Sequence, residues 1–283
     1  MKLSVELYTL SCKYGDFKAV DMAAEAGFDA VDYSYYWKNE NEENLGINYK
    51  EYAKKLRKYL DEKGMECNQA HAPFSLKYGC SDYEYNYTKV LRAIESASIL
   101  GAKNIAVHSI TVPNDVDFVE YNIDYYRSFI TYCEKFGICV AVENLFKTDE
   151  KRHHIIGKLG SPKELCDIVE KINSPWIVAC VDIGHASLTG YEPEEFINGM
   201  NSKILKALHV QDTNYTSDLH TLPYTGELNW EKIMSSLKKA EYDGDLTFEI
   251  FKYLEKFPET LMPEALTFAV AVGRYLISIY NKA

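Results

Sequence analysis

One alternation runs the length of the chain and limits what it can become. Short apolar, β-rich segments predict strands at Leu3–Leu7, Ala30–Tyr33, Met65–Ala70, Asn104–Val107, Cys139–Val142, Ile177–Val181, Leu205–Val210 and Leu246–Ile250. Amphipathic stretches predict helices at about 17–26, 49–63, 84–100, 117–136, 162–172, 193–200, 230–240 and 262–280. Ser161-Pro162-Lys163-Glu164 is a helix start, with a Ser cap, Pro at the first helical position and an acid three residues after the cap. Gly27, Gly64, Gly101 and Gly137 each follow a helix and precede the next strand, where a left-handed cap is wanted. Eight strand–helix units with no Pro/Gly/Ser-rich linker predict a single (β/α)8 TIM barrel over residues 1–283, an α/β fold. A doubly wound sheet would want GxGxxG after the first strand, and none is present.

Composition supports one large core, since 47% of the 283 residues are hydrophobic. No run of about 18 apolar residues occurs, and Lys2, Ser4 and Glu6 break the N-terminal apolar pattern too early for a secretory signal. The expectation is a cytoplasmic protein with no membrane partner. Cys12, Cys67, Cys80, Cys133, Cys139, Cys166 and Cys180 form no CxxC pair, which predicts reduced thiols. A net charge of −11 argues against a nucleic acid as standing partner, because such binding draws on Lys and Arg neutralising phosphates.

In a barrel of this type chemistry collects at the carboxyl ends of the strands. Strand three ends in His71 ("QAHAPF"), strand four in His108 ("IAVHS"), strand five in Glu143 ("VAVEN") and strand six in Asp182, with His185 three residues on ("ACVDIGHASLTG"). Strand seven ends in His209 ("ALHVQD") and strand eight in Glu249 ("LTFEI"); the loop after strand seven adds Asp218 and His220. Alone, Asp182 reads as a helix cap and each histidine as a hydrogen-bonded core residue. Together they would bury several charges at one rim with no basic partner in view, and a bound cation resolves that cost. Imidazole plus carboxylate suits Zn²⁺, Mn²⁺ or Co²⁺.

These residues make the sequence resemble the xylose isomerase-like TIM barrels, the superfamily of sugar-phosphate isomerases and epimerases, ketose 3-epimerases, inosose dehydratases and endonuclease IV. The resemblance spans nearly the whole chain and is carried by "VEN" at Glu143, "DIGHA" at Asp182–Ala186, "LHVQD" at His209, "SDLHTLPYTGELNW" at Ser217–Trp230, and Glu249. The epimerase branch implies one divalent ion on Glu143, Asp182, His209 and Glu249, with Glu143 and Glu249 also the acid/base pair and His185 on a substrate oxygen. The endonuclease IV branch implies three zinc ions on nine residues, adding His71, His108, His185, Asp218 and His220, all present here. Between these branches the ligand set does not choose.

The loops favour sugar chemistry. "YSYYWKNENEENLG" and "SLKYGCSDYEYNY" are acidic and tyrosine-rich, and the one short basic group, Lys147/Lys151/Arg152, reads as a solvated loop. The arginine that ketose 3-epimerases usually carry after the strand-seven histidine is missing around Asn214–Thr216. Sparse cations point to a neutral sugar, a polyol ketone or a glycoside rather than a phosphorylated sugar. The expected function is a divalent-metal-dependent isomerase or epimerase working through an enediolate, with one to three ions. His71, His108, His185, Trp37 and Phe74 are candidate substrate contacts, and Tyr8 and Phe146 are further rim aromatics. His153 and His154 read as a solvated loop pair, and Asp32 as either a helix cap or a group orienting a histidine. An endonuclease IV-like phosphodiesterase and a non-catalytic or hetero-oligomeric subunit are the alternatives, and homo-oligomerisation stays open. The acidic loops predict that the protein neither binds nor cuts abasic-site DNA at physiological salt; nicking at catalytic concentration that disappears in Glu249→Gln would reverse the ranking of the two branches.

Overall fold

The computed structural model describes residues 1–36, 43–74, 76–148 and 154–283. The eight apolar segments form parallel strands: β1 (Leu3–Glu6), β2 (Ala30–Ser34), β3 (Glu66–His71), β4 (Asn104–Val107), β5 (Cys139–Glu143), β6 (Ile177–Asp182), β7 (Leu205–His209) and β8 (Leu246–Phe248). Each pairs with its sequence neighbours, and β8 pairs with β1. The ring closes between β7 and β8 through Val210, whose N–H donates to Thr247 O (2.8 Å) and whose carbonyl accepts from Glu249 N (3.0 Å). The barrel read from the alternation is therefore the fold.

Period-two alternation decides what the barrel interior holds. Counting back along one face from Glu143, Asp182 and His209 gives Ala141, Cys180, Val178 and Ala207, a buried cluster of small side chains beneath the ligand layer. Register irregularities fall between Val31 and Asp32 and between Ala179 and Cys180; the second ends with Asp182 directly opposite His209. The alternate face of each strand meets the helices in a single large core.

Most helices lie where the pattern puts them. The Ser161 hydroxyl accepts from Glu164 N (3.3 Å), with Pro162 opening the helix. Gly27, Gly101 and Gly137 close helices in the left-handed region; at Gly101 a Cβ would also stand 2.4 Å from the Arg57 guanidinium. The stretch 117–136 is two helices, Phe118–Arg127 and Ile130–Phe136, and the elements not expected include helices Tyr8–Tyr14, Ile183–Leu188 and Phe251–Glu255 and an antiparallel hairpin pairing Phe146–Thr148 with His154–Ile156. These follow strand ends at the ligand-bearing rim, where short local segments replace a plain loop. None of the seven cysteines is in a disulfide.

One helical stretch, Glu259–Lys282, has the length and composition to cross a membrane, although the sequence pattern predicts no spanning segment. In the fold, Met262, Leu266, Ala269 and Leu276 belong to the barrel's own core. Arg274 is tied to both carboxylate oxygens of Asp29 (2.6 and 2.8 Å) and to Gly27 O (2.8 Å).

The long loop after β7 is organised by one carboxylate. Asp212 accepts from Thr213 N (2.8 Å) and Leu228 N (3.2 Å) through one oxygen, and from Tyr224 N (2.9 Å) and the indole of buried Trp230 (2.8 Å) through the other. Gly226 packs so closely that a Cβ there would lie 2.3 Å from Asp212 Oδ1. Removing the carboxylate strands four donors, each costing about 1–3 kcal/mol when buried and unpaired. Asp212→Ala is expected to lose roughly 3–5 kcal/mol of unfolding free energy in urea titration; a loss below about 1 kcal/mol would mean the loop holds itself by other contacts.

Candidate metal centre

Glu143, at the end of β5, is the carboxylate on which the strand ends converge. Its Oε1 lies 3.1 Å from His209 Nδ1 and 3.4 Å from His185 Nδ1; its Oε2 lies 3.1 Å from His108 Nε2 and 3.4 Å from His71 Nε2. Among the described residues three groups have ligand atoms within 4.8 Å of one another, the first two sharing Glu143: Glu143, Asp182, His209 and Glu249; His71, His108 and Glu143; and His185, Asp218 and His220. All nine residues expected from the sequence are brought to one place.

The backbone fixes which imidazole atoms face inward. A carbonyl only accepts, so the Nδ1 atoms of His71, His185 and His220, lying 3.0 Å from Ala72 O, 3.0 Å from Asn144 O and 3.3 Å from Glu249 O, carry their protons. Their Nε2 atoms then face Glu143 or Asp218, the second at 3.8 Å from His185 and 3.0 Å from His220. His209 is turned the other way: Nδ1 faces Glu143 and Glu249, and Nε2 lies 3.8 Å from Asp32 Oδ2, which also accepts from Gln69 (2.8 Å). Of the two readings the sequence left open, Asp32 thus stands as a charged neighbour of His209, without a hydrogen bond to its ring.

Asp182 answers both of its own readings. Its Oδ1 caps helix Ile183–Leu188 by accepting from His185 N (2.7 Å), while Oδ2 lies 3.8 Å from the His185 ring. Asn144 clamps its backbone in both directions (2.7 and 3.0 Å), and Gln211 Nε2 reaches both carboxylate oxygens (3.3 and 3.2 Å) and Asp218 Oδ1 (3.1 Å). Gly184 makes room for Gln211, since a Cβ there would lie 2.5 Å from its amide carbon.

Charge is strongly displaced at the cluster. Burial alone would raise Glu143, yet His209 and His108 hold it well below the ordinary carboxylate range; Glu249 is likewise held down against burial by His209 and His220. Burial pushes Asp182 up to about 6 and Asp32 up to about 7. His185 rises against burial because of Asp182 and Glu143, and His209 because of Cys180, Glu143 and Glu249. Burial holds His71 below its usual value, as a neutral ligand requires. The cluster thus retains protons on imidazoles packed between carboxylates. Buried Glu249 Oε2, His209 Nε2 and Asp32 Oδ1 have no hydrogen-bond partner. Three carboxylates and one imidazole within ligand reach fit Mn²⁺, Zn²⁺ or Co²⁺, with Glu143, Asp182, His209 and Glu249 as the residues that would hold it.

With this set in place on eight parallel strands, the comparison with known families is decisive. The family model described as xylose isomerase-like TIM barrel matches residues 20–271. The chain belongs to the xylose isomerase-like TIM barrel family. Two curated relatives align with part of it: an uncharacterized protein of Methanocaldococcus jannaschii, 29% identical over 63% of this chain and 62% of that one, and one of Sinorhizobium fredii, 27% identical over 55% and 50%. The chain thus matches about half to three-fifths of their length. Among solved structures, a D-tagatose 3-epimerase-like protein superposes with TM-score 0.78 at 22% identity, covering 100% of this chain and 99% of that one. A D-psicose 3-epimerase (0.75, 15% identity, 98% and 99%) and the Escherichia coli 3-keto-D-glucoside 4-epimerase (0.74, 15%, 96% and 99%) share the fold.

Above the ligands, a cavity of about 450 Å³ is walled by Tyr8, Tyr36, Phe74, Leu145, Phe146 and Phe251, so the rim aromatics Tyr8, Phe74 and Phe146 are where the sequence placed them. Trp37, His153 and the side chain of His154 lie outside the described residues. Several neighbours were not anticipated. Tyr36, adjacent to the expected Trp37, donates its hydroxyl to Glu249 Oε1. Glu6, an acid ending the apolar run of β1, accepts from Tyr8 N (2.6 Å) and Ser34 Oγ, and burial pushes its carboxyl well above the usual range. Lys252 corrects the expectation that no basic group stands near: its Nζ is 3.9 Å from Asp218 Oδ2 and donates to Asp218 O.

Because the imidazoles hold protons that a cation must displace, divalent metal binding is expected to release protons and to tighten as pH rises from 6 to 8. Titration calorimetry in buffers of different ionisation enthalpy reads both effects. His209→Ala should weaken affinity at least tenfold, Asp32→Asn roughly 10–100-fold through the lost backing of His209, and Tyr215→Ala little. Less than about 0.1 equivalent of metal in supplemented wild-type protein would sink the assignment.

Proposed function

We propose that the protein is a divalent-metal-dependent isomerase or epimerase of a sugar or sugar-like ketone, with Glu143 and Glu249 as the acid/base pair. The observation that carries this reading is their placement. The two carboxylates end different strands, both line the cavity, and both face His209 Nδ1, at 3.1 and 3.5 Å. A carbon-bound proton next to a carbonyl is a very weak acid, so its removal needs a base on one face and stabilisation of the enediolate charge. A divalent cation on the four ligands supplies that stabilisation as a Lewis acid. One glutamate removes the proton and the other returns one from the opposite face, which inverts the carbon. Tyr36 holds Glu249 Oε1, leaving Oε2 without a hydrogen bond and able to accept a proton. His108 and His185, which line the cavity, would bind a substrate oxygen, and the aromatic walls would exclude water. The printed names of the three structural neighbours are all of epimerases or an epimerase-like protein, which supports the same reading.

The complete nine-residue set favours one second reading, a phosphodiesterase of the endonuclease IV kind. Against it stand the aromatic walls and a cavity lining that, among the described residues, holds no Lys or Arg, the nearby Lys252 being engaged with Asp218. A subunit without turnover is the third reading, and absence of exchange with every ketone would support it. Incubating metal-loaded protein with a ketose panel in D₂O is expected to place deuterium at carbon, and Glu143→Gln or Glu249→Gln to slow wash-in at the face each serves by roughly 10²–10⁴-fold. Restoration of Glu249→Gln to near wild-type rate by excess Mn²⁺ would reduce that residue to a ligand only.

A further inference from the structure

A second cavity adjoins the first and shares two of its walls. The groove of about 490 Å³ beside the ligand cavity has Phe74 and His108 in common with it, and is otherwise formed chiefly by Leu76, Tyr78, Val112 and Pro113. Phe74 is a fixed partition, stacked on Tyr36 (4.6 Å between centroids, 19°) with His108 at 4.6 Å. Tyr78 stands against Tyr121 (5.2 Å) and is 40% exposed, an aromatic platform open at the groove mouth.

We propose that this groove is a subsite for a weakly polar substituent, and that the substrate is a substituted hydroxyketone such as an aryl or alkyl ketoglycoside rather than a free or phosphorylated ketohexose. The assignment of reacting carbons to the ligand cluster rests on the epimerase reading; the subsite itself rests on the walls. In the first cavity the ionisable groups are His, Asp and Glu of the ligand cluster, at its floor. Of its two wall tyrosines, Tyr36 gives its hydroxyl to Glu249. Among the described residues the lining contains no Lys, Arg, Asn, Gln, Ser or Thr. The hydroxyls of a free ketohexose that lie beyond reach of the ligand cluster would be buried against Phe74, Leu145, Phe146 and Phe251, which offer them no partner and make the burial unfavourable. A phosphate would face the carboxylates of Glu143, Asp218 and Glu249 at short range. An apolar substituent instead gains from the same walls, and the Phe74 and His108 shared by both cavities make the groove its continuation in this proposal, with Ser109, Thr111 and Lys77 the polar members there beside His108.

Binding to the metal-loaded protein tests this without turnover. Three neutral probes share one chelating hydroxyketone: hydroxyacetone, 2-hydroxyacetophenone, and its 4-phenyl derivative, which is long enough to pass Phe74. Titration calorimetry is expected to show affinity rising roughly tenfold or more with each added ring. Val112→Asp and Tyr78→Ser are expected to bring the ratio between the last two probes close to one; using both guards against a fault peculiar to either variant. The proposal is overturned if hydroxyacetone or D-fructose binds as tightly as the biphenyl probe, if the ratio survives both variants, or if a keto-disaccharide binds more tightly than the apolar probe. If the ratio holds but no ketone exchanges its carbon-bound proton with D₂O, the subsite stands and the epimerase reading falls. If D-fructose is epimerised and the ratio is absent, the reaction stands and the subsite falls.

Discussion

Glu143 faces four imidazoles through two oxygens, and the rest of the site is arranged around that fact. A lone buried carboxylate would take up a proton; here His209 and His108 keep it ionised, while the carboxylates around His185 and His209 keep those rings charged. Neither half is stable in that state without the other. The arrangement depends on β5 sitting between the histidine-bearing strands β3 and β4 on one side and β6 and β7 on the other. Strand order, set by short right-handed crossovers, thus delivers the electrostatics.

Much of this could be read in advance, for reasons that differ from residue to residue. The strands were legible because a parallel barrel strand, buried on both faces, leaves an uninterrupted apolar run, as Ile177–Val181 does. The ligands were legible because a charged residue closing such a run has few purely structural explanations, and His71, Glu143, Asp182, His209 and Glu249 all close one. Helix Tyr8–Tyr14 was hidden because Leu7 gives no side-chain cap and its sequence lacks a strong amphipathic stripe. Tyr36, Gln211 and Asn144 were hidden because their roles lie in partners distant in sequence: Tyr36 meets Glu249, and Asn144 and Gln211 meet Asp182. Glu6 carried the same strand-end signal as the others, masked by the apolar Leu7 that follows it.

The cavity divides its labour by height. Charge is concentrated at the floor, where strand ends converge, and the walls above are supplied by aromatics that follow the strands and pack on the ligand histidines: Phe251 stacked on His220 (4.0 Å), Phe146 edge-on to His185 (5.1 Å), and Phe74 and Tyr36 edge-on to His71 (4.9 and 4.5 Å). Such contacts limit ring rotation and lower the local dielectric, so each carboxylate–imidazole interaction is stronger than it would be in a wet cleft. Recognition and electrostatics therefore use the same aromatic rings.

The ligands also differ in what carries them. Glu143, Asp182, His209 and Glu249 come directly from strand ends, whereas Asp218 and His220 ride on a loop whose shape is set by Asp212, and Gln211 is the side chain that bridges the two sets. The first set cannot move without moving the barrel. The second can be redrawn by changes confined to one loop. Two of the three candidate ligand groups are therefore tied to the strand ends of the barrel, and the third depends on one exchangeable segment, open to divergence at no cost to the fold beneath it.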